Sequence, residues 1–127
     1  MERNTRQRGA IRRALQRADR PLSTNEVLSA ARGEVGGIGI ATVYRNIRAL
    51  LDEGWLIPVE LPGEVPRYEL HGKGHHHHFH CSQCDRVFEV PGCVDTLHQL
   101  VPRGFVLVTH EVVLYGTCAE CSRSTGT

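Results

Sequence analysis

Apolar residues recur at helical spacing through the first part of the chain. Between Thr5 and Ala18, the residues Ala10, Ile11, Ala14, Leu15 and Ala18 fall three or four positions apart or side by side, with Arg8, Arg12 and Arg13 on the other faces. Residues so spaced share one side of an α-helix, so the pattern predicts an amphipathic helix over about 5–18. Pro21 breaks the pattern. Ser23-Thr24-Asn25-Glu26 then has the S-x-x-E form of a capping box and predicts a second short helix bearing Val27, Leu28 and Ala31. Residues 33–39 include four glycines and read as a loop. After them Val43, Ile47, Leu50 and Leu51 mark the buried stripe of a third helix that stops at Gly54.

Beyond Gly54 the helical period is lost. Two strand-like runs, Trp55 to Leu61 and Arg67 to Leu70, flank Pro62-Gly63-Glu64-Val65-Pro66, which suits a two-stranded wing. Three helices followed by such a wing predict a winged helix-turn-helix domain over 1–70. Residues 71–76, with two glycines and a lysine among histidines, read as a hinge. Further on, Phe79, Val87-Phe88-Glu89-Val90 and Phe105 to Tyr115 read as strands, interrupted by one short helix at about Gly92 to Leu100. The expectation is an α+β fold, with a second domain over 71–127.

Two domains in 127 residues leave each with only about 55 to 70, a size at which an apolar core is marginal and a metal or partner chain commonly adds stability. No apolar run approaches the roughly 18 to 20 residues of a membrane span. The N-terminus is polar and Arg-rich and leads into no apolar signal core, so the chain reads as cytoplasmic. The net charge of +1 conceals an asymmetry. Residues 1–57 hold ten arginines against six acidic residues, and 58–127 hold five basic against eight acidic ones, so the halves are about +4 and −3. A basic front half suits a polyanion, although a solvated surface would look the same.

Four of the five cysteines form two Cys-x-x-Cys pairs, Cys81/Cys84 and Cys118/Cys121. Four thiolates can close a tetrahedral shell with no position open to water, which is the pattern of structural zinc; a redox pair is the competing reading. The run His75-His76-His77-His78-Phe79-His80 leads directly into the first pair and is internal and too short for an expression tag. In a strand its side chains alternate, His76 and His78 to one face and His75 and His77 to the other, so one segment can serve two metal sites. Imidazole suits zinc, iron, nickel and copper alike. On the third helix, the stripe of Val43 and Ile47 leaves Thr42, Tyr44, Arg45 and Arg48 for another surface, and those residue types contact phosphates and base edges.

With these pieces in order, the sequence resembles the ferric uptake regulator family over nearly its whole length. The resemblance is carried by Thr5-Arg6-Gln7-Arg8, by Ala41-Thr42-Val43-Tyr44-Arg45, by Arg67-Tyr68-Glu69-Leu70, by the His-rich run ending in Cys81-x-x-Cys84, and by Leu114-Tyr115-Gly116-Thr117-Cys118-x-x-Cys121. It implies an N-terminal winged helix, a C-terminal α/β dimerisation domain, and a metal-activated repressor that binds double-stranded, palindromic operator DNA as a homodimer, without an organic cofactor.

The resemblance also implies sites. Cys81, Cys84, Cys118 and Cys121 match the structural zinc shell. An inter-domain regulatory site would draw on Glu69, His71, His76 and His78, with His71 where zinc-sensing members place a cysteine and Glu89 as a further acidic candidate. A second regulatory site would use His75, His77, Cys93 and His110, with Cys93 in the place of the family's glutamate ligand. Arg8, Thr42, Tyr44, Arg45 and Arg48 would contact DNA. Two departures bear on the metal: Pro21 stands where the family has an early histidine ligand, and His77 where iron-type members often carry aspartate. Both reduce an open, oxygen-rich shell, and Cys93 adds a soft ligand, so the implied regulatory metal is zinc, with iron or manganese as alternatives. His80 and His98 are expected to stay outside the shells. The competing classes are an iron-, manganese- or peroxide-responsive regulator of the same family and a metal buffer that never binds DNA. A zinc hydrolase is disfavoured, because no His-Glu-x-x-His helix or paired catalytic carboxylates occur.

Overall fold

The computed structural model describes residues 2–125 and divides into two compact units, the first ending at Lys73 and the second beginning at Gly74. In the first unit, α1 (Glu2–Ala18) buries Gln7, Ala10, Ile11, Ala14 and Leu15 along one side. Asp19, at φ 48°, ends it. The next helix, α2 (Thr24–Arg32), is set by its cap: the Glu26 amide donates to Ser23 Oγ at 3.2 Å, and the Ser23 amide donates to Glu26 Oε1 at 3.0 Å. Each bond satisfies an amide that the helix itself leaves without a partner.

The loop after α2 is anchored by Ile38, fully buried, whose carbonyl accepts from Arg32 Nε at 2.8 Å. Then α3 (Ile40–Asp52) turns Val43, Ile47 and Leu50 inward. It stops in a Schellman turn, with the Trp55 amide donating to the Leu50 carbonyl and the Gly54 amide to that of Leu51. Gly54 sits at φ 78°, a conformation open to glycine and costly for other residues. The three helices share a core of Ala10, Ile11, Leu15, Val27, Ala31, Ile38, Val43, Ile47 and Leu50, closed by Leu22 and Leu56 from the sheet.

That sheet has the order β1-β3-β2, all antiparallel, from β1 (Leu22–Ser23), β2 (Leu56–Val59) and β3 (Arg67–Leu70). The wing strands fall within the predicted runs, and β2 is shorter than its run. β1 is an addition: two residues long, it is defined by pairing with Tyr68 and Arg67 far along the chain. Arg67 is almost wholly buried and pairs with Glu64 at 3.1 Å, with Glu26 of the α2 cap 4.0 Å away.

The second unit is a three-stranded sheet of order β5-β4-β6. The central β4 (His76–Cys81) runs antiparallel to β5 (Val87–Pro91) and parallel to β6 (Val113–Gly116). Two sequence expectations are corrected here. The strand expected over Phe105 to Tyr115 begins only at Val113, and the expected helix at Gly92 to Leu100 is a single 3-10 segment, Asp95–Leu100. Residues 105–111 have apolar strand composition but no ladder neighbour among the described residues, and Phe105, Val106 and Val108 are 70, 85 and 90% exposed. A strand needs a partner as well as propensity. A short closing helix, α4 (Ala119–Thr125), was not foreseen; its sequence has no apolar stripe.

Because the α2 cap carries both reciprocal bonds, Ser23→Ala is expected to destabilise the first unit by about 1 kcal/mol, read as a lower midpoint in urea denaturation with unchanged slope.

Candidate metal centres

At the end of β4 the chain reverses through Cys81, Ser82, Gln83 and Cys84, and the Asp85 amide donates to the Cys81 carbonyl at 2.9 Å. The turn aims the Cys84 amide at Cys81 Sγ at 3.5 Å, and the Cys118 amide, from the segment after β6, donates to the same sulfur at 3.3 Å. Pairing of β4 with β6 brings Cys118 to this point, and α4 adds Cys121 one turn later. The four sulfurs lie within 4.8 Å of one another, with Cys84 and Cys118 at 3.9 Å. Zinc–sulfur bonds of about 2.3 Å in a tetrahedron require sulfurs about 3.8 Å apart, so the cluster fits that ion.

Its electrostatics favour a cation. The amide donors of Cys84 and Cys118 lower the Cys81 thiol to about 6. Burial raises Cys84, but the backbone and side chain of Arg86 outweigh it and leave that thiol below its ordinary value. Burial and the neighbouring thiols push Cys121 up to about 12. The protein alone therefore ionises some of the four and opposes ionising all, and a divalent ion at the centre is what allows the complete set of thiolates.

The histidine run enters β4, and its rings separate by face. His75 and His77 stack edge-on with centroids 4.6 Å apart, and His76 and His78 do the same at 4.9 Å. On the first face, His75 Nε2 lies 3.2 Å from His110 Nε2, and Cys93 Sγ lies 3.1 Å from His77 Nε2 and 2.9 Å from His110 Nε2. Three imidazoles and one thiol thus converge, matching a tetrahedral shell in which nitrogens about 2.05 Å from zinc stand about 3.3 Å apart. His77 is buried, and that burial, with its neighbours His75 and His110, holds its pKa below the ordinary imidazole value, which keeps the ring neutral. Its Nδ1 accepts from the Val112 amide at 3.2 Å, placing the proton on Nε2. For a metal to bind at Nε2 the proton would have to move to Nδ1, and the Val112 contact would then open.

On the other face, His76 Nδ1 lies 2.8 Å from the Gly74 carbonyl, and His78 stands opposite Glu89 in the β4–β5 register. Glu69 and His71 belong to the first unit: Glu69 pairs with Ile57 in the wing, and the His71 amide donates to the Trp55 carbonyl. His80 is buried with Nε2 2.7 Å from Asp85 Oδ1, and His98 lies exposed on the 3-10 segment.

In the first unit, α3 shows solvent a polar side. Tyr44 is 58% exposed, Arg45 and Arg48 are exposed, and Thr42 is half-buried, with Arg45 Nη2 donating to Thr42 Oγ1 at 3.1 Å. Beside it a cleft of about 440 Å³ lies between α1 and α3, lined by Asn4, Thr5, Arg8, Thr42, Arg45 and Asn46. Sequence reading missed Asn46, which donates to the Thr42 carbonyl at 2.8 Å; its position four residues after Thr42 was the available signal.

Known proteins share this fold. The profile of the Ferric uptake regulator family matches residues 2–115. The Ferric uptake regulation protein of Bordetella parapertussis is 35% identical over 107 residues, covering 82% of this chain and 77% of its own. A solved structure of a zinc-bound manganese uptake regulator superposes with TM-score 0.75 at 27% identity, covering 88% of this chain and 87% of the other. The structure of FurB from M. tuberculosis, a zinc uptake regulator, gives TM-score 0.52 at 29% identity, with 94% and 95% covered. A winged helix followed by a second, α+β unit, with the family profile matched across residues 2–115, places the chain in the ferric uptake regulator family, whose members are metal-responsive transcriptional regulators and not enzymes.

Proposed function

We propose that the protein is a zinc-dependent repressor that binds palindromic operator DNA as a homodimer. The observation that carries the choice of metal is the convergence of Cys93 with His75, His77 and His110. One thiolate and three imidazoles make a closed, soft shell that suits zinc and lacks the oxygen ligands favoured by iron and manganese. Likeness to a zinc uptake regulator supports the same reading.

In this reading Cys81, Cys84, Cys118 and Cys121 hold structural zinc, and His75, His77, Cys93 and His110 hold a regulatory ion. A further regulatory ion would join Glu69 of a DNA-binding domain, 1–70, to His71, His76 and His78 of a dimerisation domain, 71–127, with Glu89 as the alternative acid. Such an ion would fix the two domains in one arrangement. Shifting a two-state equilibrium from 1:99 to 99:1 takes about 5.5 kcal/mol of differential binding, and zinc shells supply on the order of 10 kcal/mol, so occupancy is sufficient to drive the change. The exposed apolar residues Phe105, Val106 and Val108 supply a surface for a second copy of the chain.

Tyr44, Arg45, Thr42 and Arg48 would enter the major groove, with Arg8 on phosphate beside them. The N-cap of α3 is Gly39, which has no side chain to cap the first amides, and the helix carries no acidic residue in its first turn. Those amides and the positive end of the helix dipole suit a phosphate. No helix among the described residues is long and apolar enough to cross a membrane, and a regulator of genes would work in the cytoplasm.

Tyr44→Ala and Arg45→Ala should each weaken binding to an operator duplex by about 1–3 kcal/mol while leaving zinc content unchanged, as measured by fluorescence anisotropy beside metal analysis. Calorimetric zinc titration should give tighter binding with the duplex present than without it, and equal affinities would remove the proposed coupling, since linkage is reciprocal. Replacing Cys93 with Glu should admit manganese and iron(II) to the second regulatory shell at the expense of zinc. Unchanged metal preference in competition dialysis would refute the role given to that thiolate.

A further inference from the structure

Arg86 lies two residues beyond Cys84 and reaches both halves of the four-sulfur cluster. Its Nε donates to Cys84 Sγ at 3.1 Å, and its Nη2 donates to Glu120 Oε2 at 2.8 Å. Cys84 belongs to the first Cys-x-x-Cys turn, and Glu120 stands between Cys118 and Cys121 in the second. One guanidinium therefore links two sequence segments that only the tertiary fold brings together. Its carbon sits 5.6 Å over the centre of the Phe88 ring, which fixes its plane from a third direction.

Four thiolates around a divalent cation carry a net charge of −2. A guanidinium at hydrogen-bond distance from one sulfur offsets part of that charge and withdraws electron density from the sulfur, making it less open to a proton, an electrophile or a competing chelator. The ion pair to Glu120 adds a mechanical effect, because it holds the second pair of cysteines against the first when a ligand momentarily detaches. The arrangement around Cys93 differs: that thiol is exposed, and its described close side-chain partners are imidazoles.

We infer that Arg86 is a positioning residue for the four-cysteine shell, setting how slowly that shell gives up its metal so that it stays filled while the histidine sites exchange. The inference rests on the reading of Cys81, Cys84, Cys118 and Cys121 as a metal shell. A sensor needs this division, since an ion that holds the fold must not leave when the sensed ion does.

The test uses the full chain carrying Cys93→Ser, so that the remaining thiols are the four of the shell, loaded with zinc or with cobalt(II). Arg86→Met removes the charge at similar length, Arg86→Lys keeps a cationic donor, and Glu120→Gln loosens the ion pair while leaving the guanidinium in place. Zinc release to excess chelator should be at least about tenfold faster for Arg86→Met, intermediate for Arg86→Lys and modestly faster for Glu120→Gln. The thiolate-to-cobalt charge-transfer band should move to lower energy in Arg86→Met and return towards its original position in Arg86→Lys, a response that loss of packing would not produce. Release at the parent rate with an unmoved band in Arg86→Met overturns the inference. Should that variant fail to fold, Arg86→Lys decides it: release faster than the parent's by less than about tenfold, with a band near the parent's position, supports the charge effect, and release about tenfold faster or more with a band moved to lower energy refutes it. Absence of a thiolate-to-cobalt band in the parent protein overturns the reading of the shell itself, and the parent spectrum alone distinguishes that result from the others.

Discussion

The second unit has a core made largely of sulfur, and the rest of its structure follows from that constraint. Cys81, Cys118 and Cys121 form the buried cluster, with Phe79, Phe88 and Cys84 packed against it. So small an apolar cluster contributes little burial energy, and thiols brought this close repel one another as they ionise. The same four groups become strong ligands once a cation is among them. Under the proposed zinc reading, stability and ion binding would be one free energy in this unit, and the parallel pairing of β4 with β6 is the topological means of bringing two distant Cys-x-x-Cys segments together.

The first unit is organised differently. Its core of aliphatic residues from three helices is closed by one residue each from β1 and β2. The packing of Val43, Ile47 and Leu50 fixes the rotation of α3 about its axis, which in turn decides that Tyr44, Arg45 and Arg48 meet solvent. The residues proposed to contact DNA are thus selected by what the opposite side of their helix buries.

Much of this was legible in the sequence where interactions are local. Ser23 and Glu26 announced the α2 cap because both partners lie within one turn, and Gly54 announced the end of α3 because a left-handed residue is needed there. The alternation of His75 to His78 followed from the pleat of a strand. Elements defined by distant partners were harder to read. β1 exists through Tyr68, forty-six residues away from Leu22, and α4 is seeded beside two cysteines rather than by an apolar stripe. Residues 105–111 misled for the converse reason: strand-like composition was present and, among the described residues, a ladder neighbour was not. Arg86 went unnoticed because its meaning depends on Glu120, thirty-four residues on, although a cation two positions from a cysteine ligand was a signal worth weighing.

The opposed facing of the β4 imidazoles has a consequence for dose response. If neighbouring side chains of one short strand serve two ions, straightening that strand for the first ion also removes conformational freedom that the second would otherwise have to remove. Occupancy would then rise more steeply with free ion concentration than two independent sites allow, giving a sharper threshold between the empty and filled states.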